Sequence, residues 1–565
     1  MTETRSARRR WRALGLLAAL ALAAGGAWPS RAVAAPARPR VLVLPFADAH
    51  HIGRIYWLTE AAAVLLTDDL NRLGLQAVTR EDRRRAFDRL QIPTDVQITD
   101  ATAIRIARLV DATQVVLGGL SLETGPGGDQ LVARIRRIRL AAGRMDPTVV
   151  ERAPLREIFP LFGRLARRLV PQASLTVQQL ADRHPPLVAF EDYVKGLLAE
   201  NPETQIRYLR SSMALDPSLD RAHLALWRVF SEQGNDEAAL AAVNAVPAAS
   251  PEAARARFRA ALSLIHLKRW DEASTALSQL AAAHPTAAVF NDLGVVELRR
   301  GGADASRRAA DDFAKATQAD PDAADYFFNL GYSYWLQHNA RAAIYWLREA
   351  VRRNPTDGAA HFVLGVALAA SGDSLEADRE RALARQLSSR YAAAGMDRVP
   401  AGLERLATAL DGPLGVEDVI VESEQRNQKS LAAFYLARAR RLTRQQDDRA
   451  ATAALKRCLF LSPYDAAAQL LLGRIDLREK RTQQAIDVLK ISLWSRETAA
   501  AHLALAEAYL QAADPKAARA EAARALALNP GADEARHILQ QTAPAGSAAA
   551  RVGGARAEAA VPHGR

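Results

Sequence analysis

Apolar positions follow two regimes along the chain. Up to about residue 170, short apolar runs alternate with amphipathic stretches. From about residue 188 onward, helical spacing continues almost without a break. The run VLVLPF at 41–46 is uninterrupted, as a strand covered on both faces requires. WLTEAAAVLLTDDLNRLG (57–74) spaces its apolar residues three and four apart and stops at Gly74, which predicts a helix. LQAVTR reads as a strand, EDRRRAFDRLQ and DATAIRIARLVDA as helices, and TQVVLGGLSLE (113–123) as a strand. GPGG (125–128) is a turn, QLVARIRRIRL (130–140) the answering strand, and AAGRMDP a second turn. TVVE is a short strand, and LREIFPLFGRLARRLV (155–170) a closing helix. Strands alternating with helices, then a hairpin, predict an α/β domain with a mixed sheet over 38–170. The polar, proline-bearing stretch 171–187 reads as a linker.

Beyond it the chain repeats. Proline recurs at Pro217, Pro251, Pro285, Pro321 and Pro355, at intervals of 34, 34, 36 and 34, and Pro463 and Pro530 lie 67 apart. In the repeat ending at Pro355, Phe327, Leu330, Gly331, Tyr334, Ala343, Leu347 and Ala350 fall at fixed offsets. Leu293, Gly294, Ala309, Phe313 and Ala316 occupy the same offsets one repeat earlier. Leu364, Gly365 and Ala377 do so one later, as do Leu472, Gly473, Ala485 and Leu489 further on. This resembles the tetratricopeptide repeat (TPR), a 34-residue pair of helices. Small Gly and Ala let the two helices approach, large residues fill the gaps, and Pro ends the second helix. One pair cannot bury its apolar face alone, so the repeats are expected to stack as an all-α solenoid. About nine repeats in two arrays are expected, six over 188–390 and three over 429–540. Between them, 391–428 breaks the period and reads as a hinge or an irregular helical insert. The repeat ending at Pro285 departs from the pattern, with Arg257, Ala260 and Ala261 where large, large and Gly are expected. Glu497 stands where one repeat should have Pro. The tail 541–565 is low-complexity and reads as disordered.

The first domain resembles the TolB N-terminal-like α/β domain and the related envelope assembly proteins of the CsgG and FlgO type. The matching stretches are VLVLPF, LTEAAAVLLTDDL (58–70) and DATQVVLGGLSLE (111–123) followed by a hairpin. The resemblance implies a non-catalytic envelope domain with no active site.

Composition adds a compartment. RSARRRWR followed by the apolar ALGLLAALALAAGGAW and then RAVAAPAR reads as a signal peptide over 1–35, cleaved near Ala34 or Ala35. The expected location is periplasmic or secreted; the alternative is an uncleaved inner-membrane anchor. Of the formal net charge of +12, the first 35 residues carry +5, from six Arg and one Glu. The remaining +7 is too dilute to imply a partner, and nucleic acid is not expected. The single Cys458 rules out an internal disulfide, and its place in the repeat is that of a small buried residue.

Candidate chemistry is sparse. His50 and His51 could bind metal only if other ligands converged, and no HExxH or CxxC occurs, so they read as loop histidines. GPGG lacks the GK[ST] of a phosphate loop, and Ser121 lacks the G-x-S-x-G elbow. The pairs Asp68–Asp69, Asp311–Asp312 and Asp447–Asp448 read as caps or solvent-facing residues. The Arg-rich late half of the α/β domain reads as a solvated face, or as a surface for an anionic partner. No catalytic residue, cofactor or metal is expected. What stands out is ADYFFNLGYSYW (324–335), six aromatics in a chain with 6% aromatics. In the TPR register, Phe328, Asn329 and Tyr332 face the concave groove and Trp335 lies near its edge. Asn291 and Phe362 take comparable places on neighbouring helices. These six are the candidate peptide groove, unless the aromatics only cover the adjacent repeat. The expected function is a non-enzymatic scaffold or adaptor for protein partners in the envelope, with at most peripheral membrane contact. An enzyme with an unrecognised site in the α/β domain and a sensory or regulatory TPR module are the alternatives.

Overall fold

The computed structural model describes residues 39–48, 55–90, 92, 98–125, 128–391, 398–410 and 418–542. The signal-peptide segment, His50, His51, the centre of the GPGG turn and residues 543–565 lie outside the described residues.

The alternation of VLVL sets the first domain. Strand β1 (Arg40–Val43) pairs in parallel with β3 (Gln76–Ala77) on one side and β4 (Gln114–Gly125) on the other, and the short β2 (Ala47–Asp48) also runs parallel to β4. β4 turns back into β5 (Gly128–Arg139), which pairs antiparallel with β6 (Arg144–Met145) and β7 (Val149–Pro154). The sheet order is β3-β1-β4-β5-β6, so the sheet is mixed. Val41 and Val43 point to one face, where α1 (Leu58–Arg72) and α4 (Ile158–Leu169) cover them. Leu42 and Leu44 point to the other, under α2 (Arg80–Arg89) and α3 (Asp100–Leu109). Period-two alternation between two helical layers gives an α/β/α sandwich.

The stretch 171–187 is more than a linker. It carries the short helix α5 (Val177–Ala181), whose Thr176 and Gln179 form a capping box. Its His184 is buried, stacked on Phe159 at 5.0 Å, with Nε2 2.9 Å from Asp69 Oδ1. Asp68 pairs with Arg221 at 2.5 Å. This corrects the solvent-facing reading of Asp68–Asp69. Each carboxylate acquires a cation or ring more than a hundred residues away, which local spacing cannot reveal.

Helix pairs follow. The first array comprises α6 (Leu187–Leu198) with α7 (Pro202–Leu215), α8 (Asp220–Glu232) with α9 (Asp236–Asn244), and α10 (Ala253–His266) with α11 (Trp270–Ala283). It continues with α12 (Ala287–Arg300) and α13 (Ala305–Ala319), α14 (Ala324–Leu336) and α15 (Ala340–Arg353), and α16 (Gly358–Ala370) and α17 (Ser374–Leu387). The second array comprises α18 (Asp418–Arg444) with α19 (Asp448–Leu461), α20 (Ala466–Arg478) with α21 (Thr482–Ser495), and α22 (Ala499–Gln511) with α23 (Pro515–Leu528). The single helix α24 (Asp533–Gln541) closes it. The protein is therefore an α/β domain followed by helical repeats, six pairs and then three among the described residues. The turn inside most pairs places one residue at positive φ just before the next helix. Gly234 and Gly372 serve there, but so do Lys268, His338, Gln446, Lys480 and Ala513. Asn235, Asn339, Asp373, Asp447 and Asp514 then cap the second helix through their side chains.

The α/β domain and the first array share one core. Trp57 meets Phe190 edge-on at 6.4 Å, and Phe190, Val194, Leu209 and Val229 belong to the same apolar cluster as Val41 and Leu161. The second array returns to the start of the first. Glu200 accepts hydrogen bonds from Ser462 (2.7 Å) and the Tyr464 backbone N–H (3.1 Å). Tyr56 packs on Trp494 at 4.5 Å, and Thr204 donates to the Ser495 carbonyl. Glu497, odd as a replacement for Pro, bonds Arg207, His502 and Arg524 at this junction.

Gly331 explains the repeat spacing. A Cβ there would meet Leu347 Cγ at 2.7 Å and the Leu347 backbone nitrogen at 3.0 Å. Gly331→Ala is therefore expected to destabilise the protein by about 1–3 kcal/mol, measured by urea unfolding. A change within experimental error would show that the two helices do not depend on this approach.

Candidate functional site

Helices α12, α14 and α16, each the first of its pair, carry the six candidate residues. What covers them is the protein's own chain. Residues 398–410 (RVPAGLERLATAL) have no helix or strand and run along the groove as a strap. Within the stretch 391–428, read from the sequence as a hinge or an irregular helical insert, these thirteen residues are irregular and 418–428 begin α18. The strap is irregular because the groove supplies the hydrogen bonds that a helix would otherwise make.

Asn329 is the principal clamp. Its Nδ2 donates to the Arg405 carbonyl at 2.8 Å, and its Oδ1 accepts the Arg405 backbone N–H at 2.9 Å. One amide side chain thus pairs with both polar groups of one backbone residue, as a neighbouring strand would. Asn291 donates to the same carbonyl at 2.8 Å and accepts from Asn329 Nδ2 at 2.8 Å. Asp292 Oδ1 accepts the Ala407 N–H at 2.8 Å. Tyr332 donates its hydroxyl to the Pro400 carbonyl at 3.1 Å. Asn291, Asn329 and Phe328 are fully buried and Tyr332 nearly so. Phe328 stacks on Tyr332, and the Arg405 guanidinium lies 3.9 Å above the Phe328 ring. Phe362 stacks on Tyr391, just before the strap, at 4.7 Å. Trp335 is part-buried against the cluster that contains Phe362 and Leu403 and makes the rim. The aromatics therefore pack and line the groove at once.

Side chains fix the strap's direction. Val399 and Leu403 join the cluster of the last two pairs, whereas Ala407 and Leu410 join Phe258 and Leu277 of the third pair. The strap thus runs from the sixth repeat back toward the second. Glu404 pairs with Arg299 at 2.8 Å. Arg405 pairs with Asp325 and, at 2.7 Å, with Asp357, which also caps α16. Burial works against the Arg405 charge, but these two carboxylates outweigh it and its pKa is raised. Asp292, Arg299, Asp325 and Asp357 were not singled out from the sequence. Asp292 follows Asn291 directly on the same helix, and that adjacency was the available signal.

The chemistry is recognition of an extended backbone. Among the described residues, no group of three or more His, Cys, Asp or Glu could hold a metal ion, and no helix is long and apolar enough to cross a membrane. Burial pushes the Cys458 thiol up to about 12, which leaves it an inert packing group. The arginines of β5 are partnered within the domain. Arg134 reaches Ser121 and Glu123, Arg136 reaches Asp100, and Arg137 and Arg139 share Asp146.

Residues 224–288 and 291–358 match the tetratricopeptide repeat family model. No curated protein matches the sequence. Solved structures of MamA are similar to part of this chain. One has a TM-score of 0.27 at 18% identity and covers 30% of this chain and 96% of its own. MamA (41-end) from Desulfovibrio magneticus RS-1 has a TM-score of 0.28 at 17% identity and covers 30% and 96%.

Asp292 gives the site a pH dependence. Burial pushes its carboxyl up to about 8, against the opposing hydrogen bonds from Ala407 and Asn291. The folded state therefore holds a proton that the unfolded chain releases near pH 4. The group's contribution to stability is complete below that and is lost as pH rises through about 8. Asp292→Asn keeps the acceptor and removes the titration. It is expected to flatten the fall in unfolding free energy between pH 5 and 8, by up to about 1.4 kcal/mol per pH unit. Parallel slopes for the two proteins in urea titrations would refute this.

Proposed function

We propose that the protein is a non-catalytic TPR scaffold that binds protein partners as extended peptide segments, and that it works in the cell envelope. The observation that carries this is the Asn329 clamp. A groove that pairs both backbone groups of Arg405 recognises main chain, and main-chain recognition serves any extended peptide with suitable side chains. In this reading the strap is the resident occupant, and a partner segment enters by exchange. The preferred segment resembles the strap itself, with an Arg set over Phe328 between Asp325 and Asp357 and aliphatic residues on either side. The envelope location rests on the signal-like N-terminus. The α/β domain, as a TolB N-terminal-like module, would dock a second envelope component. Its shared core with the first repeats makes the two a rigid unit for doing so.

A labelled peptide of sequence RVPAGLERLATAL tests the groove directly. It is expected to bind a variant in which 398–410 is replaced by a Gly/Ser stretch of equal length. Asn329→Ala in that background should weaken binding about 10- to 100-fold, the equivalent of two lost hydrogen bonds. Fluorescence anisotropy reads both. No binding to the strap-replaced protein, or binding indifferent to Asn329, would exclude the groove as a peptide site.

A further inference from the structure

A second feature lies apart from the groove clamp. Between the α/β domain and the first three repeats is a cavity of about 250 Å³, with Thr408–Leu410 at its edge. Its walls are dominated by arginine: Arg80, Arg83 and Arg85 from α2, Arg221 and Arg228 from α8, and Arg259 from α10. Most of these charges are matched. Arg221 pairs with Asp68, Arg259 with Glu81, and Arg85 with Asp82. Burial raises the pKa of the Glu81 carboxyl, but Arg259 outweighs that and the group is lowered to about 2. Two features are left over. Arg80 and Arg83 share one buried carboxylate, Glu60. Arg228 has no carboxylate within hydrogen-bond range: its nearest is Glu232 at 3.7 Å, a half-exposed group that Arg84 also approaches at 3.8 Å. The Nε of Arg228 is buried and meets no hydrogen-bond acceptor among the described residues.

A desolvated guanidinium with an idle donor is costly, because burial removes the water that would otherwise satisfy it. Burial, together with Arg84 and Arg80, pushes Arg228 down to about 10, so it stays charged near neutral pH. Arg80, Arg83 and Arg228 all line this space, with Arg80 also donating to the Leu197 carbonyl and Arg83 to the Val43 carbonyl. Guanidinium groups present planar forks that match the oxygens of phosphate-type anions.

We propose that this cavity is a binding site for a small multivalent oxyanion of phosphate or pyrophosphate type, held by Arg228 with the Arg80–Arg83 pair. Its volume admits a group of that size. Because α1, α2, α8 and α10 all contribute to the walls, the bound anion would tie the α/β domain to the repeats, independently of what occupies the groove.

Isothermal titration of the full chain with inorganic pyrophosphate tests this, against sodium chloride at matched ionic strength. Wild type is expected to bind with Kd at or below about 1 mM and to melt higher with pyrophosphate than with chloride. Arg228→Met is expected to melt at least as high as wild type without the anion, since it removes a largely desolvated charge whose only carboxylate neighbour, Glu232, is 3.7 Å away and half-exposed. It should bind pyrophosphate at least about tenfold more weakly. If that variant is insoluble, Arg228→Lys keeps the charge but loses the fork, and a drop in affinity of at least about threefold is expected. No heat of binding to wild type at several times the expected Kd overturns the proposal. So does undiminished affinity in whichever variant folds.

Discussion

An extended chain inside a protein must find partners for its backbone N–H and C=O groups, and in this molecule the groove amides provide them. Asn329 pairs with both backbone groups of Arg405, Asn291 reinforces it, and Asp292 takes the next free N–H at Ala407. Remove that satisfaction and burying 398–410 would cost more than its leucines return. The rest of the architecture follows from it. The strap carries the chain from the sixth repeat back to the second, so the second array starts beside the α/β domain. Glu200, Thr204 and Tyr56 are then within reach of Ser462, Ser495 and Trp494. The repeats thus fold back on themselves instead of extending as one open superhelix.

The groove and the core are linked through this return path. Leu410 enters the cluster of Phe258 and Leu277, one layer away from the core that the first repeats share with Val41 and Val43. Arg259 and Arg221 tie the same repeats to Glu81 and Asp68 of the α/β domain. A partner that displaced the strap would therefore disturb more than its own binding site. It would withdraw Leu403, Ala407 and Leu410 from two neighbouring clusters and loosen the route between the arrays. Recognition in the groove and the arrangement of the two arrays are coupled by the same thirteen residues.

The repeats were legible in the sequence because their determinants are local. Gly331 faces Leu347, and Gly473 faces Leu489, inside one helix pair at the same offset. The α/β domain was legible because VLVL alternates between two helical layers. The six candidate residues come together on neighbouring helices for the same reason: their register follows from the repeat. The occupant was not found. Leu403, Leu406 and Leu410 sit at helical spacing, so the strap resembles one more amphipathic turn. The partners of its backbone groups lie 68 to 115 residues away. Asp69 with His184 and Asp68 with Arg221 escaped for the same reason. Arg228 looked like one more polar position on a helix. Only the arrival of α2 from the other domain makes it a buried one.

Hydrogen exchange of the native protein, read by mass spectrometry over peptides within 398–410, tests the central claim most directly. If the strap is clamped, the amides of Arg405 and Ala407 exchange as slowly as those of α12 and α14, although no helix or strand contains them. If they exchange at the rate of an open chain while α12 and α14 stay protected, the groove does not hold its own strap and the account fails.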